Sequence, residues 1–423
     1  MTKKKNIVDS VKQFTADSFV NFTARLGWGQ DNQLSSSTYN FDFMSRNRTV
    51  LEAMYRSAWL VGAAVDYPAE DMTRAGIEFD SDLDTVAQDK LQATMLELEL
   101  WDRIAETIKW SRLFGGAIAV MLIDGQDVST PLNLDSVGKD SFKGLLVLDR
   151  WLVMPTMNDL VTTFGPDLGK PKFYQTVADT QALPGMKIHH SRVLRMDGIP
   201  LPYYQKLAEN GWGESVIERF HDRLVMFDSA SVGAGQLVYK AHLRTYSIEG
   251  LREIIATGGK AYEALLAQIQ MIRSTQSSEG MTLMDSTDKF EAHAYSFAGL
   301  NDTILQFGQQ ISGALQIPLV RLFGQSPTGM NSSGESDLRT YYDNINKTQN
   351  SMLRRPLTKL FEVLVRSVLG IVPPDGFSYK FCSLWQLSDA EKAEIASKDT
   401  TTFTTAYDAG LISAATALKE LQK

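Results

Sequence analysis

His189-His190-Ser191 is where the residues of this 423-residue chain come nearest to a catalytic motif. Cleaving a phosphodiester with paired imidazoles takes two copies of His-x-Ser or His-x-Thr, one histidine acting as base and the other as acid. His189 and Ser191 make one copy. His221, His242 and His293 are followed two residues on by Arg223, Arg244 and Tyr295, so none makes a second. With Arg192 and Arg195 nearby, His189 reads as a strand-end residue. Gly324-Gln325-Ser326-Pro327-Thr328-Gly329 sets a serine between glycines, but it is one residue too long for a nucleophile elbow, and Pro327 could not enter the helix that such an elbow requires. Gly258-Gly259-Lys260 has Ile254 where a phosphate loop has its first glycine, and Ala261 where that loop has Ser or Thr. Asp80, Asp82 and Asp84 imitate a calcium loop that then fails at Thr85 and Leu91, where Gly and Glu are needed. The histidines have no zinc spacing and Cys382 is the lone cysteine. The expectation is no enzyme, no metal and no cofactor.

Bulk properties narrow the classes further. A content of 43% apolar and 22% charged residues is that of an ordinary folded chain, long enough for a sizeable core. The net charge of −8 argues against tight, non-specific grip on nucleic acid. One cysteine excludes an internal disulfide and fits a reducing compartment. The best apolar run, Ala117 to Ile123, is far short of the roughly 20 residues that span a bilayer. Lys3, Lys4 and Lys5 precede no apolar stretch, so the start does not read as a signal peptide. These features predict a soluble, intracellular protein with no membrane partner.

The elements follow from periodicity and breakers. Residues 1–45 read as a polar arm. Val50, Leu51, Met54, Trp59 and Val61 predict a buried helix stopped near Pro68. Helices are expected over 84–99 and 101–114, then strands at 117–123, 144–154, 172–178 and 187–196, giving one α/β unit over 46–210. Gly211-Trp212-Gly213 opens a helix carrying Val216, Ile217, Phe220, Leu224 and Phe227, which is expected to end in the glycine-rich 231–236. Alternation over 237–246 then predicts a strand with Lys240, His242 and Arg244 on one face. Those three could meet an acidic partner surface or simply protect a sheet edge. A helix over 247–275, weakened at Gly258-Gly259, leads through a short strand within 280–295 to a helix at 300–316. The helix over 335–369 should kink at Pro356 and end at Gly370. Arg354 and Arg355 lie at that kink, on a face that could be merely solvated. A capping box at Ser388–Glu391 starts a tail helix to about Tyr407, with a last short helix near Ser413.

Between Pro318 and the 335 helix lies a polar loop of Gly, Ser, Pro, Thr and Asn without a Lys or Arg over 323–335. The wording of Arg321–Tyr342, RLFGQSPTGMNSSGESDLRTYY, resembles the portal proteins of tailed bacteriophages. The likeness extends to 188–202 with 211–224, to 309–345, and to the tail segments 385–396 and 407–418. It implies an α+β, portal-like fold: an arm (1–45), an α/β wing (46–210), stem helices and clip (211–275), a returning wing strand and helix (276–322), a tunnel loop (323–335), a kinked helix with a wing–crown connection (336–384), and a helical crown (385–423). The resemblance assigns the channel contact to Gln325, Ser326, Thr328, Met330, Asn331, Ser332 and Ser333, and a clip surface to Lys240, His242 and Arg244.

The same resemblance implies a homo-oligomeric ring, usually of twelve, at one capsid vertex of the virion. It would be assembled in the host cytoplasm as head–tail connector, passing double-stranded DNA during packaging and ejection. The implied partners are the terminase large subunit, adaptor or neck proteins, and the major capsid and scaffolding proteins. Charge fits that role: twelve copies would carry about −96 and repel phosphates instead of holding them. Two other readings are a counter-defence phosphodiesterase, against which the missing second His-x-Ser/Thr counts, and another ring-forming neck protein.

Overall fold

The computed structural model describes residues 44–80, 83–180, 182–240, 244–247, 250–279, 289–292, 299–324, 334–385, 389–411 and 413–414. After a 3-10 turn, Met44–Arg46, come α1 (Arg48–Ser57), α2 (Trp59–Thr73), β1 (Ile77–Asp80), α3 (Thr85–Glu97) and α4 (Leu100–Phe114). The strands β2 (Gly116–Ile123), β3 (Phe142–Asp149), β4 (Val153–Pro155), β5 (Phe173–Thr176), β6 (Lys187–His189) and β7 (Val193–Asp197) follow. Next are α5 (Tyr203–Ala208), α6 (Val216–Lys240), β8 (Arg244–Ser247), α7 (Leu251–Thr257), α8 (Gly259–Glu279) and β9 (Lys289–Ala292). The chain continues through α9 (Leu300–Leu315), α10 (Leu319–Phe323) and α11 (Glu335–Thr348), a π turn (Gln349–Leu353), α12 (Arg354–Leu369), β10 (Ser378–Phe381) and α13 (Asp389–Asp408).

Every strand pairing among the described residues is antiparallel: β3-β2-β7, β4-β5-β6, β1 with β10 and β8 with β9. The buried run of β2 therefore needs an explanation other than a parallel sheet. Its side chains divide by parity. Ala119, Met121 and Ile123 join the main helical core, where Leu51, Ile104, Ile108, Phe361 and Leu364 are buried. Ile118 and Val120 join a smaller core with Tyr174, Ile188 and Trp212. A strand with apolar cover on both faces reads as an unbroken apolar run. Gly115 and Gly116 let the chain turn from α4 into β2 against the 212–214 segment. Gly115 has φ +86, and a Cβ on Gly116 would fall inside the Trp212 indole.

Several expectations change. Pro68 does not stop its helix but lies buried inside α2. A proline at 68 deprives the Ala64 carbonyl of its helical donor. Arg112 replaces it from α4, donating from Nε (3.1 Å) and from a terminal nitrogen (2.7 Å). The 144–154 strand breaks at Arg150–Leu152 into β3 and β4, and the 187–196 strand breaks at a 3-10 turn, His190–Arg192. α6 does not end in the glycine-rich stretch; it passes Gly233 and Gly235 to Lys240, about 37 Å at 1.5 Å per residue. Gly258 and Gly259, both at positive φ, separate α7 from α8 as the breakers predict. The expected 335–369 helix runs on as α11, a π turn in which the Arg354 N–H reaches the Gln349 carbonyl five residues back, and α12, with Pro356 in the first turn of α12.

Candidate functional site

The polar loop singled out in the sequence is carried by two helices that meet at one buried carboxylate. On the incoming side α9 ends at Gln316, whose φ is +56, and Pro318 caps the short α10. Gly324, in the left-handed region, closes α10; Gly334, also left-handed, opens α11. Phe323, the last residue of α10, stands edge-on to Trp59 of α2 at 5.3 Å and lies 5.9 Å from Phe227 of α6. That apolar seat fixes where the segment leaves the core.

Asp71 of α2 is fully buried. Arg321 of α10 donates to it from Nε (3.2 Å) and from a terminal nitrogen (3.4 Å). Tyr341 of α11 donates its hydroxyl at 2.8 Å, and Arg74 pairs with the other oxygen at 3.2 Å. The Arg321 guanidinium lies over the Tyr67 ring at 4.2 Å. Burying a carboxylate is costly unless its charge is paired and its lone pairs are used, and here both oxygens are engaged. Burial, then the Asp71 charge, pushes the Tyr341 phenol well above its ordinary range, so it remains a donor. Farther along, Gln349 donates to the Met72 carbonyl at 2.8 Å. Tyr341, Ile345 and Gln349, four apart and all buried, thus hold one face of this helix against α2. The arrangement uses its charges and hydrogen bonds on each other. It sets two loop ends, Gly324 and Gly334, at a defined place.

Gln325, Ser326, Thr328, Met330, Asn331, Ser332 and Ser333 themselves lie outside the described residues. So does His242. Lys240 ends a helix and Arg244 begins a strand, so the period-2 face expected to join them does not form; helical bonding carried the chain past the glycines to Lys240. Arg355 pairs with Asp167 of the β4–β5 connection, and Arg354 lies over Tyr379 at 5.4 Å; the arginine pair before Pro356 ties elements together. The Asp71 centre was missed in the sequence. The signal available was an aspartate among apolar residues of a buried helix.

His189 is also explained. Its Nδ1 accepts the Ser191 N–H at 3.2 Å and lies 2.8 Å from the Ser191 hydroxyl, whose oxygen accepts the Leu132 N–H at 2.7 Å. A ring nitrogen that accepts a backbone donor carries no proton, so the hydroxyl donates to it as well. Burial pushes the His189 pKa down to about 4. The motif clasps the 128–132 segment onto the β6–β7 turn. Among the described residues no group of three or more acidic, His or Cys side chains could hold a metal, and no helix is long and apolar enough to cross a membrane.

Residues 50–405 match the family described as phage portal protein. A Haemophilus influenzae protein without an assigned role is 27% identical over 375 residues, 88% of this chain and 83% of that one. A Caulobacter protein named anti-CBASS protein Acb1 is 30% identical over 392 residues, 90% of this chain. This chain spans 61% of the Caulobacter protein's length. Among solved structures, a chain from the neck of a native GTA particle computed with C12 symmetry superposes with a TM-score of 0.53 at 13% identity, over 88% of this chain and 92% of that one. The likeness is one of fold, helices with small antiparallel sheets. The α+β fold is portal-like, and by the match over residues 50–405 the chain belongs to the phage portal protein family.

Proposed function

We propose that this chain is the subunit of a portal ring, twelve-membered, at one capsid vertex of a virion. The ring is the channel for DNA packaging and ejection and the docking site for terminase and for adaptor or neck proteins. In this reading 46–210 with 276–322 is the wing, 211–275 the stem and clip, 323–335 the channel-facing loop and 385–423 the crown. The observation that carries it is the Asp71 centre: a segment without a Lys or Arg is held by both ends on a rigid helix of a family that forms portals. Sliding DNA calls for such a contact, because each neutralised phosphate adds salt-dependent grip. The exposed apolar residues Val225, Met226 and Val232 of α6, and Tyr262, Leu266 and Ile269 of α8, suit faces that neighbouring subunits cover.

Negative-stain microscopy of the purified chain tests this. A closed ring with an opening about 20 Å or more across, wide enough for a duplex, is expected; particles without an opening would overturn it. A second reading, a counter-defence enzyme, is supported by the name of the Caulobacter relative. Against it, His189 is engaged with Ser191 and lacks a second His-x-Ser/Thr partner. Phosphodiesterase turnover that vanishes in His189→Ala but persists in a variant of the loop would favour that second reading.

A further inference from the structure

A cleft of about 490 Å³ lies between β7, the 167–174 segment and the π turn with the start of α12. Lys170, Arg195, Arg355 and Lys359 line it, against the carboxylates Asp167 and Asp197. Three of the four cations are accounted for. Arg195 donates to Asp197 at 2.8 Å and to the Tyr174 hydroxyl at 3.0 Å. Arg355 and Lys170 share Asp167. Lys359 is different: among the described residues its ammonium has no carboxylate within ion-pair distance and only the Val193 carbonyl, at 3.4 Å. His190 also faces the cleft, and among the described residues neither of its ring nitrogens has a hydrogen-bond partner.

We propose that this cleft binds a phosphate group, either free or at the end of a nucleoside monophosphate. Positive charge exceeds negative by two among the four basic and two acidic side chains that line it. The donors left over are those a tetrahedral oxyanion takes, an ammonium and an imidazole N–H, beside a guanidinium held by Asp167 and the Pro166 carbonyl. A divalent cation is disfavoured by the same excess. An apolar ligand would leave Lys359 no better paired than it is. Burial lowers the pKa of Lys359, with Asp167 working the other way, and an anion beside it would favour the charged form further. The assignment does not depend on ring formation.

The test is calorimetric titration of the full chain near neutral pH, with inorganic phosphate in one arm and adenosine 5′-monophosphate in another. Saturable binding with a Kd of about 1 mM or tighter is expected. Lys359→Met should weaken it at least about tenfold, while Lys398→Met on α13 should not alter it. Lys359→Met should also raise the melting temperature without phosphate and lose any further rise on adding it. Equal affinity in both arms identifies a bare phosphate site; tighter binding of the nucleotide identifies a nucleotide site. Non-saturable heats in both arms, or unchanged affinity in Lys359→Met, would overturn the proposal. Should Lys359→Met not fold, Lys359→Arg with His190→Asn serves: full affinity in that double variant would equally overturn it.

Discussion

At the scale of single residues, stability rests on polar groups paired inside an apolar setting. Asp71→Asn removes the charge that two arginines share and should cost about 3 kcal/mol, the low end for a broken buried pair because both arginines remain partly wet. Tyr341→Phe removes one hydrogen bond to the same carboxylate and should cost about 1.5 kcal/mol. Chemical denaturation measures both, and limited proteolysis should cut 325–333 faster in each. His189 gives a pH dependence. Its ordinary value is 6.5 and burial lowers it to about 4, so between these the unfolded chain binds the extra proton. Its contribution is complete above pH 6.5 and fades as pH falls toward 4. Melting temperatures of His189→Gln should therefore fall less than those of the native chain across that window. Motif spacing is what sets His189 apart from paired-histidine chemistry in the sequence, where His-x-Ser/Thr occurs once. Asp71 is not legible there as a centre, because Arg321 and Tyr341, which join the loop's flanks to it, stand 250 and 270 positions away.

At the scale of elements, local pattern predicts helices and strands well where one face decides, and less well where a distant side chain intervenes. β2 reads correctly as buried on both sides, though its covers are two cores and not two helical layers of a parallel sheet. Pro68 reads as a stop because the sequence does not reveal that Arg112 will satisfy the Ala64 carbonyl. Arg112→Met should leave that carbonyl bare and cost about 2 kcal/mol, visible as a lowered denaturation midpoint with unchanged slope. Glycines at 233 and 235 read as a helix end, but α6 continues through them. At Gly116 the constraint is space: Gly116→Ala drives a methyl into Trp212 and should destabilise the small core by about 1–3 kcal/mol. The measurement is loss of near-ultraviolet circular dichroism from the tryptophan before loss of helix signal.

At the scale of the whole molecule, the long α6 leaves the core half-way along: Phe220 and Leu224 are buried, whereas Val225 and Val232 are exposed. Side chains like these are poorly explained by one chain alone. Deleting 325–333 should leave ring assembly intact, as judged by microscopy, and impair DNA packaging or retention. Loss of rings would place that segment in subunit contacts instead. One consequence follows from the shared carboxylate. With Arg321 and Tyr341 on one aspartate, α10 and α11 are fixed to each other through α2. Neither α10 nor α11 can step forward without dragging the other or giving up its share of that carboxylate.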